Sequence, residues 1–210
     1  MTVTLYHSPQ TRSSGVLALL EELGTPYALE VLDMKREEQR APAYLAINPL
    51  GKVPALHDGA AIVTEQVAIF LHLADRFPDA GLAPAIDDPQ RGPYLRWMVF
   101  YAAAFEPALV DRARGHAPGM RAMSPYGEVD TVIEALAAAL APGPYLLGER
   151  FSAADILWGT ALRWTMHFKL VPERPVFVDY AQRVGSRPKM ASALARDAEI
   201  AAAQKQASAP

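Results

Sequence analysis

Between positions 8 and 14 the chain reads Ser8-Pro9-Gln10-Thr11-Arg12-Ser13-Ser14, four hydroxyls around one guanidinium. Each hydroxyl is a standard N-cap. Together, ahead of an apolar helical run, they gather donors and positive charge where a helix dipole favours an anion. A second cluster, Glu65-Gln66, opens another helix: the carboxylate can accept from an ammonium, while the amide and the free N–H groups can donate to a carboxylate. That pairing suits an amino-acid head group. The third feature is Lys52-Val53-Pro54-Ala55-Leu56. A proline there fits an edge strand; a cis Val53-Pro54 bond would instead turn the Val53 N–H and C=O outward for a peptide-like ligand. The fourth, Ser152-x-x-Asp155, has the spacing of a capping box, with Phe151 and Ile156 as its staple.

The elements that carry these residues follow two different periods. Val3 to His7 reads as a strand, and Val16 to Leu23 recurs with helical spacing up to Gly24. Tyr27 to Leu32 is a second strand, and Lys35 to Ile47 is broken into short helical pieces by Pro42. Two strands, Val53 to His57 and Ile62 to Thr64, meet at Asp58-Gly59, and an amphipathic helix runs from Glu65 to Phe77. The order is βαβαββα. The stretch 79–89, rich in proline and aspartate, reads as a linker. Beyond it the spacing predicts only helices: Gln90 to Arg114, Tyr126 to Leu140, Ala153 to Phe168, Val176 to Gly185 and Pro188 to Ala203. The expected architecture is an α/β domain over 1–78, a linker over 79–89 and an all-α domain over 90–210.

Composition narrows the chemistry. The 210 residues include no cysteine, which excludes disulfides, thiolate metal sites and a cysteine nucleophile. No metal site is expected. A net charge of -3 with no polybasic block argues against nucleic-acid or membrane-surface partners. No apolar run is long enough to span a bilayer, and no secretory signal is visible, so a cytoplasmic protein is expected.

The motifs in register resemble the cytosolic glutathione transferases over nearly the whole chain. The residues that carry the resemblance are Thr4-Leu5-Tyr6-His7-Ser8-Pro9, Leu20-Glu21-Glu22-Leu23-Gly24, Asn48-Pro49-Leu50-Gly51-Lys52-Val53-Pro54-Ala55-Leu56, Thr64-Glu65-Gln66-Val67-Ala68-Ile69 and the Ser152/Asp155 box. Val31-Leu32-Asp33-Met34-Lys35 and Ala74-Asp75 are similar to the bacterial beta class. The resemblance implies a thioredoxin-like first domain, a helical second domain, a homodimer and glutathione as co-substrate. It implies that Val53 and a cis Pro54 hold the cysteinyl part, Glu65 and Gln66 the γ-glutamyl end, and Lys35, with Lys52 as a further candidate, the glycine carboxylate. It places the electrophile pocket on the 90–114 helix, with Trp97, Tyr101 and Phe105 as candidate walls or, equally, as core. The beta class usually carries a cysteine where this chain has Arg12, often followed by a serine, here Ser13. A histidine expected beyond Glu106 is absent, with Pro107 and Ala108 in that stretch.

Without that cysteine, a hydroxyl at the start of the first helix is the economical thiolate donor. Ser13 is the first candidate, Thr11 the second and Tyr6 the third, with Arg12 able to add charge. The expected activity is conjugation of glutathione to small hydrophobic electrophiles. The alternatives are a non-catalytic glutathione-binding ligand carrier on the same fold and a glutathione-dependent peroxidase.

Overall fold

The computed structural model describes residues 2–116, 119–120 and 122–207. By their contacts the chain forms two compact units, Met1–Ala80 with Arg187–Pro210, and Gly81–Ser186.

In the first unit, β1 (Val3–His7) alternates buried and half-buried residues, so Val3, Leu5 and His7 share one face while Thr4 and Tyr6 share the other. It pairs in parallel with β2 (Tyr27–Val31) and antiparallel with β3 (Ala55–Asp58), which pairs with β4 (Ala61–Thr64). The sheet order is β2-β1-β3-β4. Helix α1 (Ser13–Leu23) is buried on nearly every side and ends at Gly24, whose φ of 70° lets its N–H reach the carbonyls of Leu20 and Glu21. Short turns and α2 (Pro42–Leu45) connect β2 to β3, and α3 (Gln66–Arg76) follows β4. Tyr44 of α2 packs at a tilt against Tyr6, 5.6 Å between ring centroids, covering the sheet face opposite His7. The expected βαβαββα thioredoxin-like order is the observed one.

The domain boundaries fall differently from expectation at both ends of the helical half. The final helix, α9 (Pro188–Ala207), belongs to the first unit. Its buried residues Met190, Ala193 and Asp197 lie on one stripe. Just before it, Arg187 forms a two-pronged ion pair with the nearly buried Glu22 of α1, at 2.8 and 3.0 Å. Nor is 79–89 a free linker, because most of it packs into the second unit. Leu82 and Pro84 are buried, the Leu82 carbonyl accepts from Ala153 N–H at 2.8 Å, and Asp88 pairs with Arg150 at 2.7 Å.

The second unit is helical: α4 (Arg91–Phe100), α5 (Glu106–Arg114), α6 (Val129–Leu140), α7 (Ala153–His167) and α8 (Pro175–Gly185). The expected single helix 90–114 is continuous but carries a π turn at Tyr101–Phe105. Pro107 lies just beyond it, lacks an N–H and crowds the carbonyl four residues back, and a widened turn relieves that conflict. The candidate pocket walls are core. Trp97, Tyr101 and Phe105 surround the fully buried Trp158, with centroids 5.8, 5.5 and 4.8 Å away, and Trp158 Nε1 donates to the Trp97 carbonyl at 3.0 Å. No helix among the described residues is long and apolar enough to cross a membrane.

Candidate functional site

A cavity of about 490 Å³ opens where β1 ends, within the first unit. Its walls are Ser8 to Thr11, Asp33 to Lys35, and the face of α9 that carries Ala198, Ala201, Gln204 and Lys205. Of the four candidates for the thiolate donor, Thr11 alone lines it.

The backbone explains the difference between two hydroxyls only two residues apart. Ser13 begins α1, is fully buried, and turns inward. Its Oγ accepts from Ser8 N–H at 3.1 Å and lies 2.9 Å from the Ser8 carbonyl, 2.8 Å from His7 Nδ1 and 2.8 Å from Thr11 Oγ1. One hydroxyl has a single proton and two lone pairs, so these neighbours already saturate it. The direct role expected of Ser13 therefore does not fit its position. Thr11 is half-buried; its Oγ1 sits 2.7 Å from the Ser8 carbonyl and accepts from Ser13 N–H at 3.2 Å. Tyr6 points to the opposite sheet face by strand alternation, against Tyr44. Arg12 is exposed at the N-cap of α1.

Lys35 is exposed on the cavity rim, held on a turn whose Asp33 carboxylate accepts from the Lys35 N–H at 2.9 Å. The other candidates do not line the cavity. The Val53-Pro54 bond is cis, and the loop before it is fixed through the Lys52 carbonyl, which accepts from Tyr44 OH at 2.6 Å and Asn48 Nδ2 at 2.8 Å. Glu65 is exposed and has φ 67°, a left-handed conformation that costs a non-glycine residue about 1–3 kcal/mol and that clusters at functional sites. Gln66 ties the start of α3 to the start of α1, its Nε2 donating to the Arg12 carbonyl at 2.9 Å. One of its two amide N–H donors is thus engaged, while its buried Oε1 has no partner. The side chain keeps a second donor and adds an acceptor.

Two residues entered without any sequence signal. His7 is fully buried behind Ser13, and its Nε2 lies 3.3 Å from Asp197 Oδ1 of α9. Asp197 also accepts from Ser14 Oγ at 2.6 Å and from Gln10 N–H at 3.1 Å. Burial alone would raise this carboxyl; the nearby His7 ring and the hydrogen bonds from Ser14 and Gln10 outweigh it and leave its pKa below the ordinary range. A carboxyl depressed on folding stabilises the fold above its unfolded value of about 3.9, and that contribution disappears as pH falls through the lower folded value. Thermal unfolding of the wild type and of Asp197→Asn is expected to differ at pH 6 and to converge in acid. An equal gap at pH 6 and at pH 3 would contradict this.

A thioredoxin-like unit whose first helix starts on a hydroxyl-lined cavity, followed by an all-helical unit, defines a two-domain protein of the thioredoxin superfold. Residues 1–75 match the glutathione S-transferase N-terminal domain and 126–183 the glutathione S-transferase C-terminal domain. The glutathione S-transferase GstA of Escherichia coli O157:H7 is 29% identical over 92% of this chain and 98% of its own. A disulfide-bond oxidoreductase, YfcG of Escherichia coli K12, is 26% identical over 91% of this chain and 94% of its own. A Sulfitobacter glutathione transferase homologue crystallised with bound glutathione superposes with a TM-score of 0.70 at 30% identity, covering 95% of this chain and 99% of that one. The chain belongs to the glutathione S-transferase family.

Proposed function

We propose that the protein is a glutathione transferase that joins the glutathione sulfur to small hydrophobic electrophiles, and that Thr11 holds the thiolate. The observation that carries this reading is the Thr11 hydroxyl on the cavity wall at the head of α1, in a chain with no sulfur nucleophile of its own. The cis Val53-Pro54 segment receives the cysteinyl backbone. The strained Glu65 and the first N–H groups of α3 receive the γ-glutamyl head, with the unpaired Gln66 Oε1 available to its ammonium. Lys35 takes the glycine carboxylate, and Lys205 stands on the same cavity. The thiolate attacks an electrophilic carbon, expelling halide from an aryl halide or adding to an activated alkene. The reading includes a cytoplasmic homodimer.

A helix dipole contributes about 0.3–1 kcal/mol to an anion, and a hydrogen bond to a charged group about 1.5–3 kcal/mol. Thr11→Val should therefore lower turnover about 10- to 100-fold with little change in glutathione retention, and Thr11→Ser should restore most of it. Retention on immobilised glutathione and turnover of a generic aryl halide are measured together. Binding without turnover in the wild type would identify a ligand carrier instead. Full turnover in Thr11→Val would remove Thr11 from the reaction.

A further inference from the structure

Forming the thiolate releases the thiol proton, which needs an acceptor. We propose that His7, paired with Asp197 from the last helix, is the buried acceptor of that proton, which reaches it through the hydroxyls of Thr11 and Ser13. The proposal rests on the glutathione reading.

The donor count sets the direction in which a proton can travel toward the ring. A carboxylate only accepts, so the His7 nitrogen facing Asp197 carries a hydrogen. In the neutral ring, Nδ1 then holds a lone pair toward Ser13 Oγ, 2.8 Å away. The Ser8 carbonyl also accepts from Ser13 Oγ at 2.9 Å and from Thr11 Oγ1 at 2.7 Å; turned from that carbonyl, Ser13 donates its single proton to the Nδ1 lone pair and accepts from Thr11 Oγ1, 2.8 Å away. Thr11 stands on the cavity wall, so an unbroken line of hydrogen bonds leads from the cavity to a fully buried imidazole.

The step balances. The thiol proton passes to Thr11 Oγ1, the Thr11 proton to Ser13 Oγ, and the Ser13 proton to His7 Nδ1. Sulfur keeps the bonding pair as thiolate and accepts a hydrogen bond from the re-formed Thr11 hydroxyl. His7 becomes an imidazolium beside a carboxylate. In the resting structure Nε2 and Asp197 Oδ1 are at ion-pair distance, yet Nε2 is not aligned in a hydrogen bond. Charge on the ring supplies the attraction that would close that contact. Asp197 is the titratable group packed against the ring, with Ser13 and Ser14 of α1 as the adjoining hydroxyls. A purely structural clamp would not require a continuous hydroxyl line from this histidine to the cavity.

The test uses the full chain with two peptides, glutathione and S-methylglutathione, which presents the same contacts but has no thiol proton. Binding is measured calorimetrically at pH 7 in buffers of different ionisation enthalpy, which counts the protons released. The ring nitrogens of His7 are followed by NMR, and thiolate formation by ultraviolet absorbance. Glutathione is expected to shift His7 to the imidazolium with little proton release, and S-methylglutathione to leave the ring neutral. In His7→Asn, which keeps an acceptor for Ser13, and in Thr11→Val, the expected result is proton release to buffer or loss of the thiolate absorbance. Asp197→Asn should weaken the His7 shift. An unchanged His7 signal with glutathione, or equal proton release by wild type and His7→Asn, overturns the proposal. Should His7→Asn not fold, the wild-type comparison of the two peptides decides alone. Failure of both peptides to bind overturns the glutathione reading itself and this proposal with it, an outcome distinct from binding without proton capture.

Discussion

Gly159→Ala will destabilise the protein by about 1–3 kcal/mol or more, although alanine is the better helix former. Gly159 lies inside α7 where α8 crosses closely. A Cβ built there would stand 2.6 Å from Val184 Cγ1, 2.7 Å from its Cβ and 3.1 Å from its Cγ2. Val184 is fully buried and β-branched, so it has no flexible end to swing away. One helix must move, or the Trp158 cluster on the same α7 must repack. The contrast within the molecule is Gly92 of α4, where an added Cβ meets nothing within 4 Å. There the same substitution should stabilise by about 0.4–1 kcal/mol through the unfolded chain. Val184→Ala in the Gly159→Ala background removes the two Cγ clashes but leaves the Cβ contact. The pair should therefore couple favourably by about 1 kcal/mol without full rescue. Urea unfolding of the four variants checks the cycle. Similar midpoints for Gly159→Ala and Gly92→Ala would show that α7 and α8 are not held at this separation.

Local signals in the sequence located most of the first unit and the start of α7 in the second. Strand alternation in Val3 to His7, the Asp58-Gly59 turn, the cis proline and the capping box each depend on residues within a few positions of one another. What was illegible depends on partners far away in the chain. Asp197 sits 190 residues from His7, on a helix whose polar surface gives no hint that position 197 joins the buried stripe. Trp97, Tyr101 and Phe105 have a clear helical spacing, but spacing shows only that a face is apolar, not whether a ligand or Trp158 covers it. Ser13 and Thr11 are chemically near-equivalent donors. Only the backbone at the head of α1 turns one inward and leaves the other on the cavity. The sequence over 79–89 has no regular periodicity, yet Leu82 and Asp88 find partners in the second unit that no local pattern announces.

Asp155→Ala is expected to cost about 3–5 kcal/mol, because one carboxylate ties together two backbone N–H groups and two side-chain hydroxyls from three segments. Its Oδ2 accepts from Ser152 N–H at 2.9 Å and from Ser152 Oγ at 2.8 Å, closing the box at the start of α7. Its Oδ1 accepts from Leu146 N–H at 2.9 Å and from Tyr180 OH of α8 at 2.8 Å. Asp155 and Ser152 are completely buried and Tyr180 nearly so; truncation thus strands donors where water cannot replace the carboxylate. Burial opposes this gain by pushing the Asp155 carboxyl up, which the four hydrogen bonds offset only in part. The loss should therefore fall short of four independent charged hydrogen bonds, which at about 1.5–3 kcal/mol each would exceed the stability of a typical domain. Asp155→Asn keeps the shape and one oxygen but turns an amide donor toward groups that also donate, so it should lie between wild type and alanine. For a chain of this length the alanine variant should melt roughly 10 °C lower, with the near-ultraviolet signal of Trp158 weakened even before the transition. A melting point within about 2 °C of wild type would show that the box can be replaced by repacking around α7. An asparagine variant less stable than alanine would place the cost in donor–donor repulsion rather than in the lost carboxylate.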